Sequence, residues 1–196
     1  MLQNDDVKSF PMLRKRTIGI LIILFITVQC QKESNPFLIE KGKVGKLLKE
    51  TTVRELDSVY ASDSIVKTSG EGDYLYASKD RYLIYEKGGK HLLTLTPVRP
   101  HDSTATIANI RIIDPRYKTK EGISINSDFK AINTLYAISK ITATLTNVLV
   151  FVDEIDAYFT IDRKALPVAL QRPGVTPEAE QIPDDTPVKY FMIGWE

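Results

Sequence analysis

YLIYEKGGKHLLTL, running from Tyr82 to Leu95, is the stretch that decides the fold. Two apolar runs, Tyr82–Glu86 and His91–Leu95, flank Lys87-Gly88-Gly89-Lys90. Glycine accepts positive φ without a steric penalty, so a Gly-Gly centre between two such runs predicts a tight β-hairpin. Further strands follow on both sides. Ala105–Ile113 reads as a strand ended by the turn pair Asp114-Pro115, and Ile141–Leu145 and Asn147–Val152 are rich in threonine and valine. Asp156–Ile161 follows, and Val188–Trp195 reads as a closing strand. Between these two lie Pro167, Pro173, Gly174, Pro177, Pro183 and Pro187. Prolines remove backbone donors, so this stretch is expected as a loop hugging the surface.

Two short helices interrupt the strands. The first is expected over Val53–Ala61, where Val53, Leu56, Val59 and Tyr60 form one apolar stripe. Thr52 with Glu55 three residues later is a capping-box pattern. The second is expected over Asp128–Ala137, entered through Ser127, with Phe129, Ile132, Leu135 and Tyr136 at the same offsets. Sliding the chain by 76 residues sets Leu47 on Ile123, Thr51 on Ser127, Tyr60 on Tyr136, Ala61 on Ala137 and Ile65 on Ile141. This pairs Thr51, not Thr52, with Ser127, so either threonine is a candidate for the first cap. Two copies of a strand–helix–strand unit account for the match, and so does chance agreement between two amphipathic helices. The fold class expected is α+β: an antiparallel sheet carrying two short helices, both on one face.

The chain has 196 residues, 43% of them hydrophobic, enough for one packed domain plus an appendage. Its formal charge of +1 gives no electrostatic reason to expect nucleic acid. The cationic surplus sits at the front, where Lys8, Arg14, Lys15 and Arg16 outnumber Asp5 and Asp6. Without residues 1–29, the 26 basic and 25 acidic groups fall to 22 and 23, a charge of −1.

That front segment carries the clearest address. In MLRKRTIGILIILFITVQC, from Met12 to Cys30, three cations precede an apolar stretch from Ile18 to Val28. A basic start followed by roughly 7–15 apolar residues is the layout of a secretory signal. The stretch is shorter than the about 20 apolar residues that cross a bilayer. Cys30 is the single cysteine, so no internal disulfide forms. The segment resembles a bacterial lipoprotein signal peptide, in which the cysteine closing the apolar run carries the lipid. Thr27 and Gln29 stand where such signals usually hold leucine and a small residue. The resemblance implies residues 1–29 as a signal peptide, 30–36 as a polar tether and 37–196 as one α+β domain. Residues 1–11 do not belong to such a signal, so translation is expected to start at Met12, giving an 18-residue leader.

The rest also resembles Bacteroidota-type lipoproteins. The likeness lies in the strand–helix near Gly45–Tyr60, in Asp114-Pro115-Arg116-Tyr117-Lys118-Thr119 leading into Gly122-Ile123, and in Phe151-Val152-Asp153-Glu154 followed by Phe159-Thr160-Ile161-Asp162. That group implies a cell-envelope location and brings no activity with it.

Motifs for chemistry are sparse. His91 and His101 are the only histidines, and no His/Cys set has zinc spacing. No Gly-x-Ser-x-Gly elbow, Walker loop or Gly-x-Gly-x-x-Gly is present. Asp153, Glu154, Asp156 and Asp162 form the densest acidic group. On one strand, Glu154 and Asp156 share a face and offer oxygen ligands to a cation; the favoured reading makes Asp153–Asp156 a polar hairpin turn. Lys41, Lys43, Lys46 and Lys49 are candidates for anionic headgroups near the anchor, or for a solvated strand edge. Tyr74, Tyr76, Tyr82 and Tyr85 cluster around the hairpin, as a ligand face or as cross-strand packing.

These readings converge on a lipid-anchored cell-envelope lipoprotein in the cell membrane or outer membrane, facing the periplasm or the cell surface. It is expected to be a non-catalytic binding or interaction module, with no cofactor or metal and an envelope protein or small ligand as partner. The alternative is an envelope enzyme using carboxylates around Asp153–Asp162. A third class is a structural element whose free strand edge pairs with a neighbour.

Overall fold

A computed structural model describes residues 35–68 and 80–195; residues 33–196 fall in one unit. In chain order its strands are β1 (Leu38–Glu40), β2 (Lys43–Val44), β3 (Leu47–Leu48), β4 (Ser64–Thr68), β5 (Arg81–Tyr85) and β6 (His91–Pro97). They continue with β7 (Ile107–Ile112), β8 (Lys118–Thr119), β9 (Lys140–Ala143), β10 (Asn147–Val152), β11 (Ala157–Asp162) and β12 (Tyr190–Gly194). The helices are α1 (Leu56–Val59), preceded by a 3-10 turn over Val53–Glu55, and α2 (Phe129–Leu135).

The Gly-Gly hairpin forms as its residues require. Gly88 and Gly89 take φ of 118° and 91°, and the Gly89 amide donates to the Glu86 carbonyl at 2.8 Å. From it grows an eight-stranded sheet in the order β4-β5-β6-β7-β12-β11-β10-β9, antiparallel throughout. Alternation sets its buried face: Val148, Val150 and Val152 on β10 and Phe159 and Ile161 on β11 are buried, as are Phe191 and Ile193 on β12. Phe159 and Phe191 stack at 4.6 Å.

The expectation of a single sheet needs correcting. A second, four-stranded sheet has the order β3-β2-β1-β8, and β1 pairs with β8 in parallel. Strands of two or three residues show no usable period, which hides them in the sequence. The fold is α+β, dominated by antiparallel sheet with few short helices. Gly45 allows the tight path here: its φ is 58°, and a Cβ there would lie 2.3 Å from the Pro36 carbonyl oxygen.

The two helices begin alike. The Val53 and Arg54 amides donate to the carbonyls of Ala105 and Ser103, and those of Phe129 and Lys130 to Thr186 and Asp184. Asp128 caps α2 by accepting from the Ala131 amide at 2.8 Å. Thr52 takes the first cap position in the expected capping box with Glu55: its amide donates to the Glu55 carboxylate at 2.8 Å, and its hydroxyl donates to the same carboxylate at 2.6 Å. Thr51 accepts from the Leu48 amide at 3.2 Å, and Ser127 from the Ser124 amide at 3.0 Å.

The proline-rich stretch is more anchored than a surface loop. Leu166, Leu170, Ile182 and Val188 are buried in the core. Buried Arg163 holds this loop, donating to the carbonyls of Leu170, Arg172, Val175 and Thr144 at 2.8–3.0 Å. Among the described residues no helix is long and apolar enough to cross a membrane.

Candidate functional site

The turn Asp114-Pro115 sets the geometry of a concavity that is lined by Arg116 and Tyr117. It turns the chain out of β7 so that the Tyr117 amide donates to the Asp114 carbonyl. Asp114 is then buried, and its carboxylate collects three donors: the Arg116 amide at 2.9 Å, the Arg116 guanidinium at 2.8 Å and Lys90 at 2.9 Å. Burial pushes the Asp114 carboxyl upward, but hydrogen bonds from Arg116 and Lys90 overcome it and hold the group at about 2. The other edge of the guanidinium makes a two-pronged pair with Glu86, both contacts at 2.9 Å. Hydrogen bonds from Arg116 therefore lower the Glu86 carboxyl.

Fixed on both sides, the Arg116 guanidinium lies 4.3 Å over the Phe37 ring, which meets Tyr117 edge-on at 5.1 Å. These residues wall a cleft of about 440 Å³ completed by Lys46, Tyr60, Asp63, Lys87 and Leu92. Lys46 pairs with Asp63 at 3.0 Å and reaches the Ser62 hydroxyl at 3.2 Å. Arg116 and Lys46 are thus committed to carboxylates, whereas no ion pair engages Lys87 among the described residues.

Tyr60 caps the C-terminal end of α1 and is 2% exposed. Its hydroxyl is closed off from water and has no hydrogen-bond partner among the described residues. Burial pushes the Tyr60 phenol above its ordinary pKa, and the neighbouring Tyr117 and Asp63 add to the effect. Burial likewise raises Tyr117. Both phenols therefore stay protonated at neutral pH. Arrangements of this kind, with an aromatic floor and a few fixed polar groups, are suited to binding a small molecule.

Apart from Lys46, the candidate site residues read from the sequence sit elsewhere. Cys30, Tyr74 and Tyr76 lie outside the described residues, as do the proposed signal peptide and Met12. Glu154 and Asp156 do not share a strand face: Asp153–Ile155 form a 3-10 turn, and Asp156 follows in the left-handed region with φ of 53°. This hairpin-turn conformation is the reading that short polar side chains favour. Different partners engage the acids of this segment. Asp153 accepts from the Ser139 hydroxyl at 2.8 Å, Asp156 lies 3.8 Å from Lys41, and Asp162 pairs with Lys189 at 2.9 Å. Glu154 is exposed. Asp156 and Asp162 stand at opposite ends of β11, on the order of 20 Å apart at about 3.4 Å per residue. No three His, Cys, Asp or Glu among the described residues gather as a metal site.

The histidines are separate too. His91 stacks on Tyr85 at 4.7 Å, and His101, exposed, donates its amide to Asp80. Of the four lysines, Lys41, Lys43 and Lys46 each face a carboxylate, which leaves little uncompensated charge for headgroups. Tyr82 lies under Lys67 at 5.6 Å.

No family model matches the sequence, and no curated protein matches it either. Among solved structures, the chain is similar to the crystal structure of the uncharacterized protein yfeY from Escherichia coli, with a TM-score of 0.51 and 13% identity. The alignment covers 80% of this chain and 97% of that one. At that identity the likeness is one of fold alone.

Proposed function

We propose that this chain is a lipid-anchored cell-envelope lipoprotein whose folded domain is a non-catalytic binding module. The cleft around Tyr60 and Tyr117 carries the binding reading, because an unmet buried hydroxyl beside an aromatic floor is a polar group awaiting a partner. The carboxylates of Asp153–Asp162 are tied to separate partners and offer no converging acid–base pair, so the enzyme reading has less support. The anchor rests on the basic run, the apolar run and Cys30 in that order. By this reading the chain is of the kind found among Bacteroidota-type lipoproteins. It is held at the cell membrane or outer membrane, where it meets a small ligand or an envelope protein.

Mass spectrometry of the mature protein tests the anchor directly. The expected N-terminus is Cys30 carrying two or three acyl chains. A chain recovered with residues 12–29 still attached and an unmodified thiol overturns it.

We further infer that the domain comprises two copies of one unit. The helices begin 76 residues apart, at Val53 and Phe129, and β4 and β9 begin at the same spacing, at Ser64 and Lys140. Each helix is followed by four strands in meander order, and the last strands, β7 and β12, join the halves. Matching amide bonds at Val53 and Phe129, and at Thr51 and Ser127, favour copying over chance.

A further inference from the structure

Tyr60 and Tyr136 occupy corresponding places, each directly after its helix with its amide bonded back to Leu56 or Ile132. Both rings are buried. Their hydroxyls differ. That of Tyr136 donates to the Glu121 carboxylate, and this bond lowers the Glu121 carboxyl. That of Tyr60 has no partner among the described residues. Tyr136 therefore displays, bound to its phenol, a group that Tyr60 lacks among the described residues.

We infer that the cleft beside Tyr60 takes a small organic carboxylate, whose oxygen accepts from the Tyr60 hydroxyl as Glu121 does from Tyr136. This rests on the reading of the cleft as a binding site. The lining suits such a ligand. Lys46, Lys87 and Arg116 carry three positive charges against two on Asp63 and Glu86, and the surplus belongs to Lys87, the cation without an ion-pair partner. One added carboxylate brings the lining to neutrality. Leu92, Phe37 and Tyr117 provide an apolar wall for the body of the ligand. The hydroxyl is sealed from water and uncompensated in this structure, so the inference requires a side chain of the cleft wall to move aside when the carboxylate binds.

Titration of the full chain with benzoate and with its neutral isostere benzamide at pH 7, followed by NMR, tests the inference. Benzoate is expected to shift the resonances of Phe37, Leu92 and Tyr117 saturably, with benzamide at least ten-fold weaker. Tyr60→Phe is expected to weaken benzoate about five- to ten-fold, as loss of one charge-assisted hydrogen bond predicts. Lys87→Met weakens it further. In the absence of ligand Tyr60→Phe should melt no lower than the parent, since it removes an unmet polar atom. Equal binding of benzamide, or benzoate binding indifferent to Tyr60→Phe, overturns the carboxylate assignment and leaves the cleft as a site. If neither probe touches the cleft residues, the binding reading itself falls.

Discussion

Asp114 shows how one carboxylate organises its surroundings. It is buried, yet three donors from Arg116 and Lys90 keep it ionised with a carboxyl at about 2. Its folded value lies below its unfolded value of about 3.9. Its stabilising contribution is therefore complete above about pH 4 and disappears as pH falls toward 2. Asp114→Asn is expected to cost about 2 kcal/mol at pH 7, because it orphans charged donors at a buried position. Urea unfolding across pH 2–7 checks this, with the gap between variant and parent closing as the pH drops. A gap independent of pH assigns Asp114 a purely steric role. The turn at Asp114-Pro115 was legible as a turn pair, but the site it frames was not. Helical spacing marks Tyr60 as a buried residue, which it is; spacing reports which face a side chain occupies and not whether its hydroxyl finds an acceptor. The acidic group at Asp153–Asp162 attracted attention because charge density is visible in one dimension, whereas its separate partners become visible only in three.

At the scale of elements, the hairpin, both helices and the long strands were legible because each has a period or a turn signal. Gly88-Gly89 fixed the turn, and Asn147–Val152 alternates as a half-buried strand must. The small sheet was not legible, since two-residue strands leave no periodic trace. The loop after β11 was misjudged for a different reason: its prolines report missing amides, while its stability comes from a distant side chain. Buried Arg163 satisfies four carbonyls of this region without a carboxylate partner among the described residues. A planar fork does this, and a single ammonium does not. Arg163→Lys is accordingly expected to cost about 2 kcal/mol. Hydrogen exchange should quicken at the Leu170, Gln171 and Ile182 amides while α1 keeps its protection. Unchanged exchange in the loop excludes Arg163 as its organiser.

Across the whole molecule, the pairing of β7 with β12 makes one continuous sheet from two four-stranded meanders. Phe191 lies on this joint: it faces Ile112 across the strands, stacks on Phe159 and is fully buried. Trp195, the single tryptophan, donates its amide to the Ala108 carbonyl at 2.7 Å and ties the end of the second half to the first. A core shared in this way unfolds as a unit, because opening either meander exposes the apolar face of the other. Phe191→Ala is expected to destabilise the protein by about 3–4 kcal/mol through the cavity it leaves. If the joint makes the halves cooperative, tryptophan fluorescence and far-ultraviolet circular dichroism shift to lower denaturant together, and amides of β5 and β6 exchange faster to the same degree as those of β10 and β11. Two independent halves behave differently: fluorescence moves alone, dichroism becomes biphasic, and β5 and β6 keep their protection. That outcome would make the joint a contact between two self-sufficient units and not the spine of one domain.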